Sequence, residues 1–201
     1  QPSGVTLKTA STPVLCFGGN DGTAGVTASG GVGGYTYKWN TGAVAFTITN
    51  AAGTYTVSVR DANNCLETAT LIINQPPDIS ITLDSTDVSC FAGSDGEASV
   101  IAAGGVTGGY TYGWSNGTKT AINSGLKAGT YTVTVRDGNQ CSETGKTTVL
   151  QPTDVALDTG TTDVICFGGN DGTAGVTANG GVGGYTYNWS TGSTTQSITA
   201  S

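Results

Sequence analysis

The chain has 201 residues, of which only 10% are charged, and 14 acidic against 7 basic side chains give it a net charge of −7. This balance leaves no basic stripe for nucleic acid or an anionic membrane surface, so the composition excludes both partners for these residues. The sequence has 33 glycines, no methionine and no histidine, and it is rich in threonine and valine. Such a composition predicts an all-β protein.

A long internal repeat organises the chain. The segment from Cys16 to Trp39 returns from Cys166 to Trp189 with two differences, and a looser copy runs from Cys90 to Trp114. The dipeptide Gln-Pro stands at 1–2, 75–76 and 151–152. These marks predict domains at 1–74 and 75–150 and a third, truncated domain at 151–201, as expected of a piece of a longer protein.

The first two strands are read most clearly in the second repeat. Alternating apolar residues over 79–88 predict a strand, because such residues would face a core. Asp95-Gly96 then favours a tight turn, since this dipeptide accepts positive φ. A second strand is expected at 97–102, and the glycine-rich segment 104–109 allows the chain to reverse.

An aromatic strand follows at 110–114. Tyr110, Tyr112 and Trp114 fall on one face, because side chains alternate with a period of two. We place Trp39, Trp114 and Trp189 in the core between two sheets, since little else in each repeat is large enough to fill its centre. The alternative is an exposed aromatic row that stacks on sugar rings.

The end of each repeat carries a more specific signal. The spacing Leu126-x-x-Gly-x-Tyr131 is typical of a tyrosine corner, and Tyr55 ends a similar segment in the first repeat. Both tyrosines are therefore predicted core residues. Six or seven short strands with regular turns predict tandem immunoglobulin-like β-sandwich repeats that form an elongated rod or filament.

The cysteines suggest disulfides and an oxidising, extracellular compartment. Pairing within repeats would join Cys16 to Cys65 and Cys90 to Cys141. Strand directions, however, place Cys16 and Cys65 at opposite ends of a sandwich that is roughly 30 Å long, whereas disulfide Cα atoms lie within about 7 Å. The geometry therefore slightly favours Cys16 with Cys141, between repeats, and the pairing within repeats stays open.

Three motifs together resemble the SprB repeat. They are Asp-Val-x-Cys-Phe-x-Gly-x-Asp-Gly, then Gly-Gly-Tyr-Thr-Tyr-x-Trp, then Ala-Gly-Thr-Tyr-Thr-Val-x-Val-Arg-Asp-x-Asn-x-Cys. The resemblance covers essentially the whole chain and implies a large surface adhesin of gliding and other Bacteroidota, exported by type IX secretion. Arg60 and Arg136 depart from the neutral residue that is common before the Asp, and each could mark an ion pair.

Other sites are weakly supported by the residues. Without histidine or an activated nucleophile, no enzyme chemistry is expected. Carboxylates near the predicted linkers could bind Ca²⁺ and stiffen them, although they follow no recognised loop spacing; these are Asp84, Asp87, Asp158 and Asp163. Asn20, Asp21, Asp61 and Asn63 form a second candidate group that fits plain turns equally well. Asp84-Ser85-Thr86 looks like a bacterial O-glycosylation signal on Ser85.

We therefore expect a non-enzymatic stalk or fibre of an extracellular, cell-surface adhesin that acts in adhesion or gliding motility and needs no cofactor. Its expected partners are neighbouring repeats, other filament chains and an external surface or polysaccharide. The alternative is a set of tandem carbohydrate- or surface-binding modules, which could be accessory to a larger extracellular enzyme. Tyr35, Tyr37, Asn20 and Asp21 would then be exposed.

Overall fold

The computed structural model describes residues 3–106 and 108–199. Gln1 and Pro2, which open the first predicted repeat, lie outside the described residues. So do Thr107, in the predicted glycine-rich reversal, and the last two residues of the third repeat.

Within the described ranges the chain forms fifteen strands and no helix, so no described helix could cross a membrane. The strands are β1 (Thr6–Thr12), β2 (Gly22–Ser29), β3 (Thr36–Trp39), β4 (Thr47–Asn50), β5 (Gly53–Arg60), β6 (Leu66–Ile73), β7 (Ser80–Thr86), β8 (Gly96–Ala103), β9 (Thr111–Trp114), β10 (Ile122–Leu126), β11 (Gly129–Arg136), β12 (Ser142–Val149), β13 (Ala156–Thr162), β14 (Thr173–Asn179) and β15 (Ser197–Thr199). The strands predicted in the second repeat fall within two or three residues of these bounds.

The strands form five small sheets. In the first repeat the orders are β1-β2-β4 and β3-β5-β6, and in the second they are β10-β8-β7 and β12-β11-β9. The described part of the third repeat contributes β13-β14-β15. Two three-stranded sheets with this division of the strands reproduce the A-B-E and C-F-G sheets of an immunoglobulin-like sandwich. The predicted all-β, immunoglobulin-like fold is therefore confirmed.

The core of the first repeat lies between its two sheets. Antiparallel pairing sets Tyr37 opposite Val59 and Trp39 opposite Val57. Because alternate side chains point inward, Trp39 is 1% exposed and the two valines are fully buried. The indole Nε1–H of Trp39 donates to the carbonyl of Ala45 at 2.8 Å. The largest side chain of the core therefore buries no unpaired polar atom.

The other predicted core residues differ in burial. Trp114 is 4% exposed and donates to the carbonyl of Thr120 at 3.0 Å. Trp189 is half-buried beside the one sheet that the described part of the third repeat forms. Its place in a core between two sheets therefore remains a prediction.

The predicted tyrosine corners are present. The Tyr55 hydroxyl donates to the carbonyl of Ala51 at 2.9 Å, and the Tyr131 hydroxyl donates to that of Lys127 at 3.0 Å. Tyr55 is buried and Tyr131 is half-buried, so the core placement of Tyr131 remains a prediction. The hydroxyl of each ring is tied to the preceding turn.

The chain divides into two compact units. The first consists of Gln1–Thr82, Ile101–Gly113 and Thr134–Thr144, and the second of Leu83–Val100, Trp114–Val133 and Gly145–Ser201. The division runs through the second sequence repeat. The domain boundaries that the Gln-Pro marks suggest therefore remain a prediction.

Candidate functional site: a cross-link between repeats

Cys16 lies in a tight turn that follows β1. Its carbonyl accepts the N–H of Gly19 at 3.0 Å, and Gly18 takes a φ of 70°, a backbone conformation that favours glycine. The N–H of Leu15 donates to Asp21 Oδ1 at 3.1 Å. Buried Val14 anchors the turn to the sandwich through its N–H, which donates to the carbonyl of Asn74 at 3.0 Å.

The linker after β6 also holds this turn. The N–H of Gly18 donates to Gln75 Oε1 at 3.1 Å. The glutamine that opens the second predicted repeat is thus bonded to the turn of the first. In the same way Gln151 Oε1, at the start of the third, accepts the N–H of Ala92 in the turn of the second at 3.1 Å. The linker glutamines therefore orient the cysteine turns.

Cys141 lies in the hairpin between β11 and β12. The carbonyl of Cys141 accepts the N–H of Asp137 at 3.0 Å, and the carbonyl of Asp137 accepts the N–H of Gln140 at 3.1 Å. Gln140 has a φ of 68°. Arg136, for which the sequence suggested an ion pair, donates from its guanidinium to the carbonyl of Gln140 at 3.2 Å; Arg60 makes the equivalent bond to Asn64 at 3.1 Å.

The carboxylate of Asp137 is the centre of this hairpin. Asp137 is 1% exposed. Its Oδ1 accepts the N–H groups of Asn139 at 2.9 Å and Cys141 at 3.0 Å, and its Oδ2 accepts that of Val106 at 2.9 Å. Three donors satisfy the buried carboxylate, which would otherwise be costly to desolvate. Asp137 therefore joins the glycine-rich loop to the backbone of Cys141.

Gly105 allows this contact. It takes a φ of 63°, and a Cβ at this position would lie 2.7 Å from Asp137 Oδ2. Any side chain here would push the carboxylate away. Glycine is therefore required both by the backbone conformation and by the close approach of the carboxylate.

A disulfide joins the two loops. Cys16 and Cys141 are bonded with a Cα–Cα distance of 5.6 Å and are 125 residues apart in sequence. The side-chain amide of Asn139 donates to the carbonyl of Leu15 at 2.9 Å, and the sulfur of Cys141 lies 3.4 Å from the same oxygen. A covalent bond and a polar contact thus connect the turn of the first repeat to the hairpin of the second.

The structure does not contain the alternative pairing within repeats. Cys65 and Cys90 are exposed thiols. The register explains why Cys65 cannot reach Cys16: β6 begins beside Arg60 and ends beside Gly53, so Cys65 and Cys16 lie at opposite ends of the sandwich. The same strand directions separate Cys90 from Cys141 in the second repeat.

The first repeat contains the same hairpin with its cysteine free. Asp61 accepts the N–H groups of Val32 at 3.0 Å, Asn63 at 2.9 Å and Cys65 at 2.8 Å. The bond from Val32 contributes most to lowering the pKa of Asp61. Burial acts in the opposite direction, and the N–H groups of Cys65 and Asn63 lower the pKa further. The charged carboxylate is therefore the form that holds the hairpin.

The cysteine turn is likewise repeated. Asp95 accepts the hydroxyl of Ser89 at 2.5 Å and its N–H at 3.1 Å. These two bonds, the hydroxyl first, lower the pKa of Asp95. In the third repeat Asp171 accepts the N–H of Ile165 at 3.1 Å, and the carbonyl of Cys166 accepts the N–H of Gly169 at 2.8 Å. Each cysteine turn is therefore pinned by one aspartate.

The predicted calcium ligands do not form a group: two of them accept backbone hydrogen bonds, and the other two are exposed. Asp84 accepts the N–H of Ser85 at 2.9 Å, and Asp87 accepts that of Leu150 at 2.7 Å. Asp158 and Asp163 are exposed. Across residues 3–106 and 108–199, no three carboxylate, cysteine or histidine side chains are grouped as a metal site requires. The carboxylate of Asp61, in the second candidate group, already faces three N–H donors.

The remaining candidates are also placed. Ser85 is half-buried in β7, and its hydroxyl donates to the carbonyl of Thr148 at 3.2 Å. Tyr35 and Tyr37 are half-buried and pack against the core of the first repeat. Asn20 and Asp21 are exposed. The exposed aromatic residues are instead phenylalanines, which the sequence analysis did not single out: Phe17, Phe46, Phe91 and Phe167.

The sequence analysis also missed the residues that position the cross-link, namely Asp137, Asn139, Leu15 and Gln75. A signal was present in the pattern Asp-x-Asn-x-Cys, which occurs at the same place in both complete repeats. The pattern by itself fits a turn, and nothing in it indicates that the carboxylate reaches a loop 31 residues away.

Comparisons with known proteins agree with these repeats. The profile of the SprB repeat matches residues 9–44, 82–119 and 159–194, together more than half of the chain. Among curated proteins, no sequence matches. Similar solved structures include three N-terminal domains of the bacteriophage RB49 outer capsid protein Hoc, at 17% identity and a TM-score of 0.45, covering 89% of this chain and 69% of that one. Another is the amphioxus IgVJ-C2 molecule, at 16% identity and a TM-score of 0.31, covering 75% of this chain and 98% of that one.

Proposed function

Because the chain belongs to the SprB repeat family, whose repeats are found in cell-surface proteins, we propose that it is a load-bearing, non-catalytic part of a secreted surface adhesin. In this role it is a stalk or extended fibre, exported by type IX secretion and used in adhesion or gliding motility. It needs no cofactor. Its partners are neighbouring repeats, other filament chains, and the external surface or polysaccharide to which the whole protein attaches.

The Cys16–Cys141 bond is the observation that carries the proposal. A force applied to the two ends of the chain passes from Cys16 directly to Cys141, so the 124 residues between them are shielded from extension. Both complete sandwiches have most of their strands inside this closed loop. A covalent bypass of this kind suits a protein that must transmit force without lengthening.

The alternative function, tandem carbohydrate-binding modules, receives less support. It would need aromatic faces open to a sugar ring, but Tyr35 is half-buried and its hydroxyl donates to the carbonyl of Gly30 at 2.5 Å. Tyr37 packs against the core. The contacts of Tyr35 and Tyr37 therefore stabilise the sandwich and leave neither ring fully open to a sugar.

Single-molecule pulling from the two ends tests the load-bearing role. At about 3.3–3.6 Å per residue, the closed loop should shorten the full extension of the oxidised chain by roughly 400–450 Å relative to the reduced chain. A variant with serine at positions 65, 90 and 166 keeps the other thiols from interfering. The proposal fails if the oxidised chain extends as far as the reduced one, or if the strands outside the loop yield before any load is held.

A further inference from the structure

Cys65 and Cys90 each lie in one half of the cross-link that Cys16 and Cys141 complete. Cys65 occupies the same kind of hairpin as Cys141, held by Asp61 as Cys141 is held by Asp137. Cys90 occupies the same kind of turn as Cys16, with its carbonyl accepting the N–H of Gly93 at 3.0 Å. Both thiols are exposed.

Several residues around Cys90 are the counterparts of residues around Cys16. A cavity of about 120 Å³ beside Cys16 is lined by Phe17, Pro76, Asp78 and Gly105. A cavity of about 390 Å³ beside Cys90 is lined by their counterparts, Phe91, Pro152, Asp154 and Gly181. In both places the loop glycine donates to the linker: Gly105 to Pro77 at 3.1 Å, and Gly181 to Thr153 at 2.9 Å.

The difference between the two cavities identifies the missing occupant. The smaller one is closed by Asp137, Cys141 and Ser142, which have no counterparts around the larger one. Correspondingly, Ile79 is 7% exposed, whereas its counterpart Val155 is 51% exposed. Gly181 has only Val155 within contact distance of a Cβ, where Gly105 faces the carboxylate of Asp137. Residues 151–201 do not include an Asp-x-Asn-x-Cys segment, which is the segment that closes the cavity beside Cys16.

We propose that Cys90 and Cys65 are cross-linking sites, and that in an array of these repeats the first cysteine of each repeat bonds to the second cysteine of the repeat that follows. Cys90 thus takes a hairpin cysteine from a complete repeat on its C-terminal side. Cys65 takes a turn cysteine from a complete repeat on its N-terminal side. In each bond two thiols lose two protons and two electrons to a disulfide oxidant, which is reduced to two thiols.

The test adds a second copy of residues 75–150 in front of residue 1. This addition recreates the native junction, because Leu150 is again followed by Gln-Pro. After refolding with oxidised glutathione, non-reducing peptide mapping should recover a peptide that joins the copied Cys90 to Cys65, alongside Cys16–Cys141. In the unextended chain, Cys65 should react fully with an alkylating reagent, and in the extended chain it should be protected at least tenfold.

A serine at the copied position 90 is the matched control, and it should leave Cys65 reactive. The proposal is overturned if Cys65 stays a thiol in the folded, extended chain, or if the copied Cys90 bonds to the cysteine of its own repeat. A second chain, with residues 127–150 appended after residue 201, tests Cys90 itself and covers the case in which the first extension does not fold.

This inference deepens the proposed function by extending one cross-link to a series. The mapping experiment applies no force, so its failure would leave the pulling result on Cys16–Cys141 unaffected. Conversely, a chain that is fully cross-linked but extends under low load would overturn the mechanical role and leave the cross-linking rule intact.

Discussion

The carboxylate of Asp137 accepts the backbone N–H of Cys141 at 3.0 Å, and it does so from a position that is 1% exposed. A buried charge thereby positions a residue that must meet a cysteine 125 residues away. Replacing Asp137 with alanine leaves three N–H groups without their acceptor. We expect the free energy of unfolding to fall by about 3 kcal/mol and the Cys16–Cys141 bond to form in lower yield from the reduced chain.

The variant Asp61→Ala tests whether Asp137 positions Cys141 for the disulfide or only stabilises its hairpin. Asp61 makes the same three bonds in the first repeat, but its hairpin cysteine is free. We expect this variant to lose stability while the Cys16–Cys141 yield, measured by peptide mapping after refolding, stays that of the wild type. Equal losses of yield in the two variants would contradict a positioning role for Asp137.

Removing the cross-link should destabilise the chain through its unfolded state. With serine at positions 16 and 141, the unfolded chain regains the freedom of a loop of about 125 residues, for which the chain-entropy relation gives about 5 kcal/mol. Guanidinium denaturation should show a lower midpoint. The matched variant has serine at 65 and 90, and its midpoint should equal that of the wild type; a similar drop there would mean that the loss comes from the substitutions and not from the bond.

Acid should weaken the first repeat through Asp61. Hydrogen bonds, that from Val32 first, hold the pKa of this carboxyl below its ordinary value of 3.8. The stability that it contributes is therefore complete above the unfolded-state pKa and is lost as the pH falls below 3.8 through the folded-state value. Urea denaturation between about pH 5 and pH 2 should show this decline, and Asp61→Asn should flatten it. A decline in the variant as steep as in the wild type would assign the effect to another carboxyl.

Replacing Trp39 with alanine should lower the free energy of unfolding much more than replacing Trp189. Trp39 is 1% exposed, and its indole N–H is hydrogen-bonded, so Trp39→Ala should cost about 3–5 kcal/mol. Trp189 has a similar local sequence but is half-buried, so Trp189→Ala should cost much less. Denaturation followed by circular dichroism compares the two. Similar costs would indicate that the third repeat closes its core by contacts other than those described.

The local parts of the fold were predictable from the sequence, because they depend on neighbouring residues. The alternation of side chains along the sequence predicts β8 and β9. The tyrosine-corner spacing is correct at Tyr55 and Tyr131. The burial of Trp189 was not predictable from its strand, since burial requires an opposite sheet. The role of Asp137 was missed for a similar reason. Its partner Val106 lies in a glycine-rich loop that carries no periodic signal.

The disulfide could be predicted from the sequence only in part. Strand directions alone place Cys16 and Cys65 at opposite ends of a sandwich, which slightly favours the pairing between repeats and leaves the pairing within repeats open. They could not supply the contact between Asn139 and Leu15, because the meeting of two loops depends on side chains and on the linker. The linker contributes through Gln75, which accepts the N–H of Gly18 in the turn that carries Cys16.

The cross-link also changes what a protease can do to the chain. The exposed loops of both complete repeats, among them the segment from Thr41 to Phe46, lie between Cys16 and Cys141. A single cut in any of them opens the backbone but leaves the N-terminal and C-terminal pieces joined through sulfur. A surface protein that is nicked by its surroundings would then stay in one piece until a reductant reached the bond.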